Sequence, residues 1–149
     1  VVKVLLVLHA LLAVALLGSS THGAVLAVRS LLGLPARPRL QRLYATVTTA
    51  AFLACFVLGL LIYPTFRVEV RAAYFDPQLP LATGFFEVKE HWLGLGLLAV
   101  GAFWPLSRRL DVRVASAETW AFCVLAIVIA GLVWFASLTG LTLTALRPV

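Results

Sequence analysis

The 149-residue sequence holds no methionine, two cysteines, three histidines and six acidic residues. Charged residues make up 12% of it, where soluble domains carry about 25%. With 62% apolar residues and a mean hydropathy of +1.05, the chain has more apolar surface than one small core absorbs, so a water-soluble fold is excluded. Cys55 and Cys123 each stand inside an apolar run, without C-x-x-C or C-x-x-C-H spacing. Zinc ribbons and covalently attached c-type haem are thereby excluded, and buried packing is expected for both. No hydrolase serine motif, phosphate loop or dinucleotide fingerprint occurs. No Asp or Glu falls in the middle of an apolar run, which argues against an ion pump built from this chain alone. The absence of methionine and the start at Val1 point to residues preceding this sequence. The first apolar run is too long for a signal-peptide core and lacks a cleavage pattern, so it is read as structure.

What is present is four apolar runs, at about residues 4–28, 43–63, 85–106 and 117–141. Each has the roughly 20 residues that cross a hydrocarbon core of about 30 Å. The expected architecture is an all-α integral membrane protein, a single four-helix transmembrane bundle over 1–149. Pro35 and Pro38 forbid a helix through the first connection, and Pro64 is expected to stop the second span. Ser116 with Glu118 marks the start of the fourth.

Charge sets the orientation. Arg29, Arg37, Arg39, Arg42, Arg108, Arg109 and Arg113 flank two connections on one side. Lys3, Arg67, Arg71, Lys89 and Arg147 lie on the other, among Glu69, Asp76, Glu87 and Glu90. The positive-inside rule places the arginine-rich side in the cytoplasm and both termini outside, in a bacterial inner membrane facing the periplasm. The net charge of +6 is therefore read as topology and contact with anionic headgroups, not as nucleic-acid binding. Tyr44, Trp104 and Trp120 are expected in the inner aromatic belt, and Tyr63, Tyr74, Trp92 and Trp134 in the outer one. In the outer connection, 64–83, helical spacing aligns Phe66, Val70, Ala73 and Tyr74. This reads as a short interfacial helix, while strict alternation over 66–71 also fits a strand. The helix is preferred, because an open strand edge near lipid leaves backbone groups unpaired.

Two histidines carry the chemical expectation. His9 lies 20 residues before Arg29, about 30 Å of helix, and His91 lies 17 before Arg108, about 26 Å. Both fall near the outer face, on spans that run the same way. Two imidazoles at one height on different helices can clamp a metal, and in a membrane bundle the candidate is a b-type haem. Gly94, with Gly96 and Gly101, makes room for a ring on the third span. Arg67 and Arg71 stand on the side where propionates would need cations. Glu87 and Glu90 are candidates for orienting an imidazole or taking a proton from a quinol. Their bland alternative is charge in the first turns of a helix, favoured by its dipole. His22 stands 13 residues after His9, turned by roughly 140° in a straight helix, and no second histidine shares its depth. It is expected to bond a neighbouring helix or the Ser19–Thr21 cluster. A di-iron site is disfavoured, because neither glutamate stands three before His91 and the first span has no carboxylate.

In span count and in His9 with His91, the sequence resembles the small four-helix membrane cytochrome b subunits of respiratory enzymes. It departs from the two-haem members in lacking a fourth ligand. The resemblance implies a membrane subunit of an oxidoreductase, non-catalytic or quinol-linked, with haem b, other membrane subunits, and a quinone or an outer-surface electron carrier as partners. The competing expectations are a cofactor-free accessory subunit or assembly factor, and a small oligomeric transporter. For the transporter, the only polar candidates are the Ser19–His22 and Thr46–Thr49 clusters.

Overall fold

The computed structural model describes residues 2–114 and 116–147, and no strand occurs among them. Four long helices dominate: α1 (Val2–Leu31), α2 (Pro38–Thr65), α4 (Pro80–Arg109) and α5 (Ala117–Leu146). A π-helical segment (Phe66–Phe75) and the single turn α3 (Asp76–Gln78) link α2 to α4. Each expected span lies inside one of the long helices. Three stretches are long and apolar enough to cross a membrane: α1, α5 and the 41-residue rod Pro38–Gln78. The exception is α4, whose first turns carry Glu87, Lys89 and Glu90.

The ends of the helices follow local chemistry. Gly33, at φ +73°, takes the left-handed position after α1. Its N–H bonds the Ser30 carbonyl at 3.1 Å, and the Leu34 N–H bonds that of Arg29 at 3.0 Å. This paired closure satisfies carbonyls that the helix end would otherwise leave open. Pro38 then opens α2, where its missing N–H costs nothing. Ser116 caps α5 by accepting the Thr119 N–H at 3.2 Å.

Pro64 does not stop the second span. The helix runs through it to Thr65, and the backbone widens into the π segment immediately afterwards. Proline removes one N–H and crowds the preceding turn. The looser i→i+5 turns that follow are a way of continuing past it without breaking. The stretch expected as a connection at 64–83 is thus helical almost throughout. The wider turn also changes its buried face: Val70 and Phe75 are inside, while Ala73 is exposed.

Each long helix touches two others. α1 lies between α2 and α5, α4 lies between α5 and α2, and α1 and α4 sit across the diagonal. Toward the arginine-rich end the centre is filled by Val100, Phe103, Phe122, Cys123, Ala126 and Ile129. There the Phe103 and Phe122 rings stack at 4.8 Å. At mid-height the Phe52 ring fills the notch left by Gly96, where an added Cβ would meet its Cζ at 2.7 Å.

Hydrogen bonds between helices serve the polar side chains inside. Thr48 donates to Ser19 at 3.1 Å and Gln41 to Ser30 at 3.0 Å. Trp134 Nε1 donates to Thr21 Oγ1 at 3.0 Å. Thr21 stands twelve residues past His9, about 18 Å along α1, so this indole sits deep along the bundle and not in the outer aromatic belt. The outward faces are apolar: Val14, Leu98 and Leu141 are 71%, 74% and 70% exposed. Continuous surfaces of this kind match hydrocarbon, not water.

Gly96→Ala is expected to destabilise the bundle by about 1–3 kcal/mol, because the added Cβ would push the buried Phe52 ring out of its notch. Gly131→Ala, where nothing lies within 4 Å of the added Cβ, is expected to be near neutral. Thermal unfolding of the two variants in one detergent checks the difference.

Candidate functional site

Above the Phe52–Gly96 contact the bundle is hollow. A cavity of about 490 Å³ opens among all four long helices, toward the end where the π segment lies. It is lined by Leu6, His9, Ala13 and Leu16 of α1, which recur at helical spacing and form one face. The missing volume comes from small side chains: Gly59, Gly94, Ala136, Ser137 and Gly140 all line it. At Gly94 and Gly140 an added Cβ would meet nothing within 4 Å. The aromatic side chains Tyr63, Phe66 and Phe86 line the upper end. Phe86 stacks with Phe66 at 4.5 Å and with Tyr63 at 6.1 Å.

Three ionisable side chains from diagonal helices share this lining: His9 of α1, and Lys89 and Glu90 of α4. His9 Nδ1 is buried without a hydrogen-bond partner among the described residues. The His9 carbonyl accepts a long contact from the Cys55 thiol at 4.0 Å, and Gly59 lets the ring edge approach α2. The Lys89 ammonium stands 4.4 Å from the centre of the Phe86 ring, within cation–π range. Glu90 is exposed and sits at the rim. Arg147 adds a second cation to the lining and lies over the Tyr74 ring at 5.2 Å.

The other candidates fall elsewhere. His91 is exposed and absent from the cavity lining, and its Nδ1 bonds the Glu87 carbonyl at 2.7 Å on its own helix. A ring nitrogen against a carbonyl oxygen donates to it, so Nδ1 is occupied within its own helix. The two histidines are therefore not brought together around the cavity as a haem clamp requires. Gly94 does line the space, as the sequence suggests. Arg71 is engaged in the linker: it pairs with Glu87 of α4 and with Asp76 at 3.5 Å. Asp76 also accepts from Thr83 at 2.7 Å. Arg67 is exposed and outside the lining. The Glu87 side chain thus anchors the π segment, and only its backbone oxygen touches His91. His22 bonds the Gly18 carbonyl at 2.8 Å and stacks on Tyr44 at 5.4 Å. No group of three or more His, Cys, Asp or Glu side chains suited to a metal occurs among the described residues.

Lys89 and Arg147 are what the sequence reading passed over. The signal for Lys89 was helical spacing: Phe86, Lys89, Glu90, Leu93 and Gly94 fall on one face, while Glu87 and His91 fall on another. Arg147 follows the last turn of α5, where only the folded chain shows what lies beside it. The chain matches no protein-family model, no curated protein and no solved structure.

Arg71→Gln is expected to cost less than about 1 kcal/mol of global stability, because the ion pairs are solvent-accessible. It is expected to loosen residues 66–75 selectively. Amide hydrogen exchange across the π segment should rise several-fold while the centres of α2 and α5 stay protected. Added salt should narrow the gap from wild type.

Proposed function

We propose that this chain is an integral membrane subunit of a larger redox complex, and that its cavity holds a lipid-soluble carrier of the quinone class. In this reading four helices cross a bacterial inner membrane with both termini outside, and α4 crosses with its charged turns directed at the cavity and the outer interface. The observation that carries it is His9, which lines an apolar cavity of about 490 Å³ together with Lys89 and Glu90 and holds a buried ring nitrogen without a hydrogen-bond partner among the described residues. Ligand sites of this size are mostly apolar, with a few placed polar groups that fix orientation. A quinone head offers carbonyl oxygens to a protonated imidazole nitrogen and to the Lys89 ammonium. A quinol hydroxyl offers a proton to an unprotonated one. Glu90 at the rim is placed to exchange protons with water. Leu6, Leu16, Phe52, Leu60 and Leu93 supply the surface for an isoprenoid tail.

Haem b was the expectation from histidine depth. His9 would supply one axial nitrogen to a haem in this space, and no second imidazole lines it. The two occupants separate by measurement. Purified protein is titrated with decylubiquinone and followed by binding calorimetry, beside a reduced-minus-oxidised visible spectrum of protein expressed with haem available. The expected result is saturable quinone binding, no b-type band, and affinity reduced about tenfold in His9→Phe, the equivalent of one hydrogen bond to a polar group. Gly94→Leu is expected to abolish binding by filling the cavity while leaving the melting temperature unchanged. A b-type band lost in His9→Ala would replace quinone with haem. Quinone binding indifferent to both His9→Phe and Gly94→Leu would remove the cavity from the argument.

A further inference from the structure

The opposite end of the bundle carries a second concavity, unconnected with the histidines. It holds about 480 Å³ between the α1–α2 connection and the start of α5. One wall is Ser30, Leu34 and Pro35, and the other is Val112, Arg113 and Trp120. We propose that this slot binds the phosphate headgroup of an anionic phospholipid, with Arg113 on the phosphate and an acyl chain against Leu34 and Trp120.

Charge balance carries the first part of the argument. Seven arginines lie at this end, against Asp111 and Glu118. Both ion pairs among the described residues belong to Arg71, at the other end of the molecule. Two of the seven are committed to the fold: Arg42 donates to the Leu110 carbonyl at 3.3 Å, and Arg108 to Thr46 Oγ1 at 3.3 Å. Asp111 is turned back on its own loop, where it accepts the Arg113 N–H at 3.1 Å. The Arg113 side chain is thus exposed at the slot with no neighbouring carboxylate paired to it. Guanidinium binds phosphate oxygens in a matched, two-pronged geometry.

Shape and polarity carry the second part. The slot is amphipathic: Arg113, Ser30 and Thr119 are its polar residues, the Thr119 hydroxyl being spent on the Val114 carbonyl, and Leu31, Leu34, Pro35, Val112 and Val114 are apolar. Trp120 is 60% exposed, and an indole at a bundle end is the side chain that settles at the headgroup level. Its backbone frame is fixed by the Gly33 closure and by the Val114 N–H on the Asp111 carbonyl at 3.0 Å. A site for free phosphate would have no use for the apolar wall; a lipid uses both.

Protein in a neutral detergent is examined by native mass spectrometry and thermal unfolding with phosphatidylglycerol, phosphatidylcholine, or inorganic phosphate added. Phosphatidylglycerol is expected to bind and raise the melting temperature, with retention about tenfold lower in Arg113→Gln, the loss of one charge-assisted contact. Arg39→Gln, a change of equal charge outside the slot, is expected to keep most of the binding. Arg113 is exposed, so its variant folds, and Trp120→Ala should weaken the lipid without touching the phosphate contact. Equal retention of phosphatidylcholine would overturn the proposal. So would equal losses in Arg113→Gln and Arg39→Gln, or stabilisation by inorganic phosphate matching that of the lipid.

Discussion

How closely α2 approaches α4 decides where this bundle is solid and where it is hollow. The Phe52 ring enters a notch that exists only because position 96 has no side chain. Below that contact, Val100 and Phe103 of α4 and Phe122 and Ile129 of α5 pack against small side chains of α1 and α2, and the Phe103–Phe122 stack fills the centre. Above it, glycines at 59, 94 and 140 withdraw volume from three helices. The cavity is thus not a packing accident at one residue. It is what remains when the helices are held at a spacing set lower down and the upper positions are too small to fill it.

Polar satisfaction inside an apolar medium gives the cavity its chemical meaning. A polar group away from water must find a partner or impose a penalty. Ser19, Thr21, Gln41 and Thr48 find theirs on neighbouring helices or their own turn. Among the described residues, Thr49 Oγ1, the Gln41 carbonyl oxygen and His9 Nδ1 are the buried side-chain atoms that do not. Among these, only the imidazole of His9 faces a cavity of ligand size. Lys89 and Glu90 reach the same space from the diagonal helix, so three proton-exchanging groups converge where the packing gives way.

Much of the fold was legible in the chain. Pro35, Gly33 and Pro38 marked one connection, Ser116 marked a helix start, and run lengths gave four helices. Pro64 misled, because a helix that can widen to π turns passes a proline that an α-helix would treat as an end. Trp134 misled for a related reason: a tryptophan near a run's end reads as an interfacial anchor, while its N–H is spent on Thr21, well along α1. At the site, direction was not readable. His9 lines the cavity and His91 does not, and apolar residues surround every helix, so no polar stripe told the inner face from the outer. Counting about 100° per residue from Phe86 separates Lys89 from His91, yet that arithmetic needs to know that Phe86 is buried.

The bundle is also two hairpins, α1 with α2 and α4 with α5, tied by the π segment. Chain order and spatial order coincide, which bears on biogenesis. Helix α4 is the one long helix that falls short of the composition of a self-sufficient span, while its sequence neighbour α5 is strongly apolar. Entering the bilayer alone, α4 would carry Glu87, Lys89 and Glu90 toward lipid without compensation. In the proposed four-span reading it enters as a hairpin with α5 and presents those turns to the α1–α2 hairpin already formed. In that reading the order of synthesis supplies what α4 lacks, and of the residues that make this helix hard to insert, Lys89 and Glu90 equip the cavity while Glu87 anchors the π segment.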